Sequence, residues 1–123
     1  MCLKPAAKTG PLQKYSPALF VRWQNRHIEI EDGILKYFKE VDRGKYECCG
    51  TLNFDLYQCF IEQHKKKKRQ FMLTMKGNER EFLFKAKNEE EAIEWIQTIS
   101  MHIKESKGRL EKALAPKTSE FWR

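Results

Sequence analysis

The sequence predicts a mainly β domain of seven antiparallel strands, arranged as a sandwich or barrel and capped by one C-terminal amphipathic helix. Three observations predict it. From Pro11 to Ala86, short apolar or alternating runs recur between turn residues, which is the period-two rhythm of strands. Beyond Asn88 the apolar spacing lengthens to that of a helix. Finally, 123 residues, 41% hydrophobic and 12% aromatic, suffice for one core and leave no length for a second.

The first strand is "PLQKY", entered by Gly10-Pro11. The second, "WQNRHIEI", turns through Glu31-Asp32-Gly33 directly into "ILKYFK", an acidic-Gly turn between two β-rich runs that signals a hairpin. "VDRGKYECCG" reads as a loop. "GTLNF" and "YQCFIE" supply two more strands, and "RQFMLTM" and "REFLFKA" the last pair, joined by Lys76-Gly77-Asn78-Glu79. Asn88 followed by Glu91 is an N-cap with an acidic partner at the third helical position, and three consecutive glutamates suit the positive end of a helix. Ala92, Ile96, Ile99 and Ile103 then fall at i, i+4, i+7 and i+11, with Ile93 and Trp95 widening the stripe. Gly108 is expected to interrupt the helix, with Leu110 and Leu114 extending a second helical stretch to Pro116. Residues 1–9 form an N-terminal segment, 10–107 the domain, and 108–123 an extension and tail in which Phe121 and Trp122 stand exposed unless they dock.

Charge narrows the function. The formal net charge is +7, which favours anionic partners without choosing among them. Residues 1–28 hold five basic residues and no acid, residues 64–76 six and no acid, and residues 29–63 four basic against eight acidic. Two basic segments therefore bracket an acidic one, and a fold that brings them together has a polarised surface. No apolar run reaches bilayer length and the N-terminus lacks the apolar block of a secretory signal, so the chain is expected to be intracellular. Cys2, Cys48, Cys49 and Cys59 read as reduced thiols, with no C-x-x-C or H-x-x-x-H spacing for a metal and no cofactor implied. Cys2 is a candidate for reversible acylation, although the second residue is not the Gly that myristoylation needs. No G-x-x-x-x-G-K phosphate loop occurs, and Cys48-Cys49 with a distant His defines no nucleophile–base pair. The expected class is a binding module and not an enzyme.

Five short motifs in order, Gly10-Pro11-Leu12-Gln13-Lys14, Trp23-Gln24-Asn25-Arg26, Leu35-Lys36-Tyr37-Phe38, Gly50-Thr51-Leu52 and Glu94-Trp95-Ile96, resemble the pleckstrin homology (PH) domain. They match that family's G-x-L-x-K, W-K-x-R, L-x-Y-F, G-x-I and x-W-I. The resemblance covers about residues 10–107 and implies two nearly orthogonal sheets, four strands then three, with the helix plugging one end. Trp95 then serves as the core plug.

The resemblance also implies a lipid-headgroup cup at the open end, lined by the loops after the first, third and sixth strands. Lys14, Arg26 and Tyr37 stand at matching headgroup positions. Gln24 does not, since strong binders in the family carry Lys or Arg there; Cys49, just before Gly50, also replaces a basic residue of some tight-binding relatives. Each charge-assisted contact to a phosphate is worth about 1.5–3 kcal/mol, so a neutral Gln24 lowers the expected affinity about tenfold or more. Arg22 shares the Gln24 face by period-two geometry and is a candidate replacement.

The run Lys65, Lys66, Lys67, Lys68 and Arg69 links the fifth and sixth strands. Family geometry implies that it lies beside the first loop, "SPALFVR", on the outer side of the barrel, where some relatives bind headgroups instead. Basic residues near an acidic leaflet contribute about 1 kcal/mol each at most. Leu19, Phe20 and Val21 add an apolar wedge suited to the acyl boundary. An import signal needs an extended peptide, whereas here strands pin both ends. Nucleic acid is not expected, because the lysines lack interleaved exposed aromatics. A solvated loop that protects edge strands is the plain alternative. The expected function is therefore a cytoplasmic, peripheral membrane-targeting adaptor for a phosphoinositide or another anionic lipid. The rival is a protein-interaction scaffold of the same fold that has lost its lipid site.

Overall fold

A computed structural model of the chain describes residues 5–17, 22–76 and 80–114. Leu19, Phe20 and Val21, Cys2, the Gly77-Asn78-Glu79 turn and the Phe121-Trp122 tail lie outside the described residues. The chain forms β1 (Lys8–Tyr15), β2 (Trp23–Glu31), β3 (Ile34–Asp42), β4 (Lys45–Asn53), β5 (Gln58–Gln63), β6 (Gln70–Lys76), β7 (Arg80–Lys85) and α1 (Glu89–Leu114). The strands are antiparallel neighbours in the order β4-β3-β2-β1-β7-β6-β5. The four-plus-three division is joined at one seam: β1 meets β7 only at Gln13↔Lys85 and Lys14↔Phe84.

Local chemistry sets the turns. Asp32 (φ 53°) and Gly33 (φ 77°) both lie in the left-handed region, the geometry of a two-residue type I′ turn whose twist matches its strands. The segment expected as a loop, "VDRGKYECCG", is instead a hairpin turning at Arg43-Gly44, with Gly44 at φ 69°. Its turn amides are held by acids: Arg43 N–H donates to Asp42 Oδ1 at 2.8 Å and Gly44 N–H to Glu40 Oε2 at 3.0 Å. Two register shifts, between Tyr37/Phe38 and between Glu40/Asp42, break the period-two alternation. The strand pattern was hidden for that reason.

The helix starts as its cap dictates, with Glu91 N–H donating to Asn88 Oδ1 at 2.8 Å. It runs unbroken past Gly108 to Leu114, against the expected interruption; one glycine costs only about 1 kcal/mol among good helix formers. Its buried seam is Ala92, Trp95, Ile99, His102 and Ser106, while Ile96 and Ile103 are partly buried and Ile93 is exposed. The helix packs across β5 and, more lightly, β6. Trp95 is 1% exposed and packs with Leu12, Ile28, Ile30, Leu35, Phe71 and Leu73 in one core cluster. A Cβ on Gly10 would lie 3.4 Å from the Trp95 ring.

His102 secures this closed end. Gly33 N–H donates to its Nδ1 at 3.1 Å, so Nε2 carries the proton and donates to the Ala6 carbonyl at 2.8 Å. One buried imidazole thus ties the helix to the β2–β3 turn and to the N-terminal segment. Among the described residues, no helix is long and apolar enough to cross a membrane.

Candidate functional site

Strand alternation decides where the basic residues go. On β1 the buried Leu12 is followed two residues later by Lys14; on β2 the buried Ile28 is preceded by Arg26 and then Gln24; on β7 the buried Phe84 and Phe82 are preceded by Arg80. Antiparallel pairing puts the end of β1 beside the start of β2, and β7, which meets β1 at Lys14↔Phe84, runs back from Phe84 through Phe82 to Arg80 in the direction in which β1 ends. Each apolar row changes to a cation at the same mouth of the barrel.

The geometry is close. Lys14 Nζ lies 5.3 Å from the Tyr37 ring centre and 5.5 Å from that of Phe82, and the Arg80 guanidinium lies 4.7 Å from the same Phe82 ring. Arg26 Nη1 donates to the Asn25 carbonyl at 2.7 Å. Partial burial, and after it the Arg26 and Arg80 charges, hold the Lys14 amine below its ordinary value of 10.5; only Cys49 opposes them. Three cations crowded at an apolar floor are arranged to accept an anion, which relieves their repulsion as it binds.

Tyr37 is 8% exposed and forms that floor. Its ring rests on Gly50, where a Cβ would overlap it, so the glycine is needed for close approach. Gln24 sits directly opposite Lys14 in register, on the same face of the sheet. Cys49 is the extra residue of the bulge between the pairs Tyr37↔Gly50 and Phe38↔Cys48. Arg80 was missed by sequence reasoning. The missed signal was the alternation Arg80-x-Phe82-x-Phe84, which aims an arginine along the core-facing row of β7.

Arg22 is exposed, and its carbonyl accepts from Ser16 N–H at 2.7 Å, closing the base of the first loop. The lysine loop joins β5 to β6 as expected, and residues 64–69 are all exposed. The loop is folded back on itself: Gln70 N–H donates to the Lys67 carbonyl at 2.9 Å and Gln63 Nε2 to the Lys68 carbonyl at 2.8 Å. Arg69 is committed to structure, since its Nε donates to the Ala86 carbonyl at 3.0 Å while Ala86 N–H donates back to the Arg69 carbonyl at 2.8 Å.

The outer face carries a second cation missed in the sequence. Lys85 Nζ lies 4.2 Å over the Trp23 ring, which meets Tyr15 edge-on at 5.3 Å. Lys85 pairs with Gln70, the first β6 residue after the lysine loop, and with Gln13 of β1. The step from the lysine loop through Lys85 to Trp23, next to Arg22, thus crosses neighbouring strands about 4.8 Å apart.

Among the described residues, no group of three or more His, Cys, Asp or Glu side chains is placed to hold a metal. Cys48 and Cys49 are exposed free thiols, whereas Cys59 is buried and its thiol is pushed up to about 11 by that burial.

Comparison with known proteins agrees with this architecture. The chain is 26% identical to ceramide transfer proteins of Xenopus laevis and Mus musculus over 102 residues, 83% of its own length. It spans only 16% of the length of either. Among solved structures, the PH domain of human oxysterol binding protein-related protein 11 superposes with a TM-score of 0.70 at 20% identity, covering 85% of this chain and 86% of that one. The Slm1 PH domain in complex with inositol-4-phosphate gives 0.63 at 22% identity, covering 78% and 94%. The PH domain family model matches residues 6–104, most of the chain, and with the seven strands and closing helix this shows that the chain belongs to the PH domain family.

Proposed function

We propose that this domain is a binding module that docks peripherally on membranes by taking a phosphoinositide headgroup into the cup formed by Lys14, Arg26 and Arg80. The observation that carries the reading is the crowding at the mouth: Lys14 stands over the Tyr37 and Phe82 rings and Arg80 over the same Phe82 ring, and partial burial first, then the Arg26 and Arg80 charges, hold the Lys14 amine below its ordinary value against an opposing effect of Cys49. An anionic phosphate adds negative charge to this mouth. Arg80 supplies a third cation where Gln24 leaves the position opposite Lys14 uncharged, and the Tyr37–Phe82 floor gives the inositol ring an apolar surface. The structurally similar Slm1 PH domain is solved with inositol-4-phosphate and binds ligand in a non-canonical site, which supports the class of ligand but favours the outer face as much as the cup. On the outer face, Arg22, Lys85 and the loop from Lys65 to Arg69 add a diffuse contact to acidic lipid, with Leu19, Phe20 and Val21 as the apolar wedge.

Titration of the protein with soluble inositol phosphates, followed by amide NMR, tests the cup. Saturable shifts at Lys14, Arg26, Tyr37 and Arg80, lost in Arg26→Ala and Arg80→Ala, are expected. Absence of shifts there, with no gain in vesicle co-sedimentation on adding phosphoinositide at low salt, refutes the reading. One observation favours a second one: Gln24 lies opposite Lys14 where a base would complete the cup. In that reading the fold is an adaptor for a protein partner, and pull-down of a partner together with a silent headgroup titration would support it.

A further inference from the structure

Six residues of consecutive charge and polarity, His64 to Arg69, are expected to splay outward, because four adjacent ammonium groups repel. The loop does the opposite and folds into a compact turn. The group that draws it in is a side chain: His64 Nδ1 accepts both the Lys66 N–H at 3.1 Å and the Lys67 N–H at 2.9 Å. A ring nitrogen that accepts two amides carries no proton, so the imidazole is neutral with its hydrogen on Nε2. The His64 backbone is pinned as well, its N–H donating to the Gln70 carbonyl at 2.9 Å.

We propose that His64 is a positioning residue of the lysine loop, acting as an acceptor that folds Lys65–Lys68 into one rigid cationic tip and so strengthens contact with an acidic bilayer. This rests on the outer-face contact described under Proposed function. The mechanism is preorganisation: a tip already folded loses less conformational entropy at a charged surface than an extended lysine run. Neither the lysine count nor the net charge depends on the imidazole, so shape and charge separate cleanly. Protonation of His64 removes the acceptor and adds a further positive charge beside Lys65, Lys66, Lys67, Lys68 and Arg69. Glu62 at the end of β5 and Lys87 beyond the Ala86–Arg69 clamp are the other charged neighbours in the chain.

The test compares wild type with His64→Ala and His64→Asn, the latter keeping a neutral acceptor able to cap the same two amides. Amide exchange at Lys66 and Lys67 reads the turn, and co-sedimentation with phosphatidylcholine vesicles, with and without phosphatidylserine, reads the contact. In His64→Ala faster exchange and a loss of about three- to tenfold in phosphatidylserine-dependent binding are expected, with Asn restoring both. Exchange unaltered by His64→Ala, or binding unaltered despite a loosened turn, overturns the inference alone, provided that Lys66→Glu/Lys67→Glu abolishes binding. If wild type shows no phosphatidylserine-dependent binding, the outer-face reading falls and the inference with it. Titration of the cup by soluble inositol phosphate is unaffected in every variant.

Discussion

Replacing Lys14 by Met separates the cup from the fold that carries it. Methionine keeps the aliphatic reach over Tyr37 and Phe82 and removes only the charge. One charge-assisted contact to a phosphate is worth about 1.5–3 kcal/mol, so headgroup affinity falls about 10- to 100-fold. Stability of the unliganded protein moves little, because two effects oppose each other. The ammonium attracts the faces of two rings, centred 5.3 and 5.5 Å away, by about 0.5–1 kcal/mol. Partial burial and repulsion from Arg26 and Arg80 cost a similar amount once discounted for solvent screening at a half-exposed site. The net change is under about 1 kcal/mol, or about 4 °C in Tm for a chain of this size. Calorimetric titration with an inositol phosphate and thermal melting read the two quantities independently. Undiminished affinity, or a melting point lowered by about 8 °C or more, refutes the argument. The pH dependence carries its own sign. Lys14 is held below 10.5 when folded, so well above 10.5 it is neutral in both states and carries no penalty; as pH falls from 10.5 toward the lowered folded value, the unfolded chain takes up the proton first and stability is lost. Wild type should therefore gain stability relative to Lys14→Met as pH rises toward about 10.5.

Gln24→Lys places a fourth cation opposite Lys14 and should tighten headgroup binding about tenfold in calorimetric titration, at a small cost in melting temperature. Gly50→Ala drives a methyl into the Tyr37 ring and should cost about 1–3 kcal/mol in urea denaturation; weaker headgroup binding follows as the floor shifts. His102→Leu leaves the Gly33 amide and the Ala6 carbonyl without their partner and should cost about 2–4 kcal/mol, with headgroup affinity unchanged because the site lies at the other end.

The strand runs, the β2–β3 turn and the helix cap were legible in the sequence, because each depends on local chemistry or on a regular period, whereas the Trp95 plug was read through the family resemblance. Asn88 and Glu91 form their cap as spaced, and Asp32-Gly33 adopts the two positive φ values that its composition favours. The β3–β4 hairpin was illegible because bulges shift the register twice within it, turning alternation into noise. His102 was passed over because a polar residue on a helix is ordinarily solvated; only the packed structure shows that its two nitrogens meet a turn amide and a carbonyl from distant parts of the chain. Lys14 and Arg26 were found by family pattern, and the fold brings them near each other on β1 and β2. Arg80 and Lys85 were not, for opposite reasons. Arg80 points inward along a row of phenylalanines that conceals it, whereas Lys85 gains its position only when β7 closes against β1.

The placement of the cations follows from how the barrel is closed. At one end Trp95, Ile99 and His102 seal the space between the sheets, so apolar burial there can tolerate a less stable arrangement elsewhere. At the other end no helix intervenes among the described residues, and the core-facing rows of β1, β2 and β7 run out toward water. A row ending in leucine or phenylalanine would expose apolar surface; ending in Lys14, Arg26 and Arg80, it covers the rings with aliphatic stems and presents charge to solvent. The same residues that cover the open end therefore concentrate positive charge there. On the proposed reading, cations that stand on strands and not on loops take up an anion with little rearrangement.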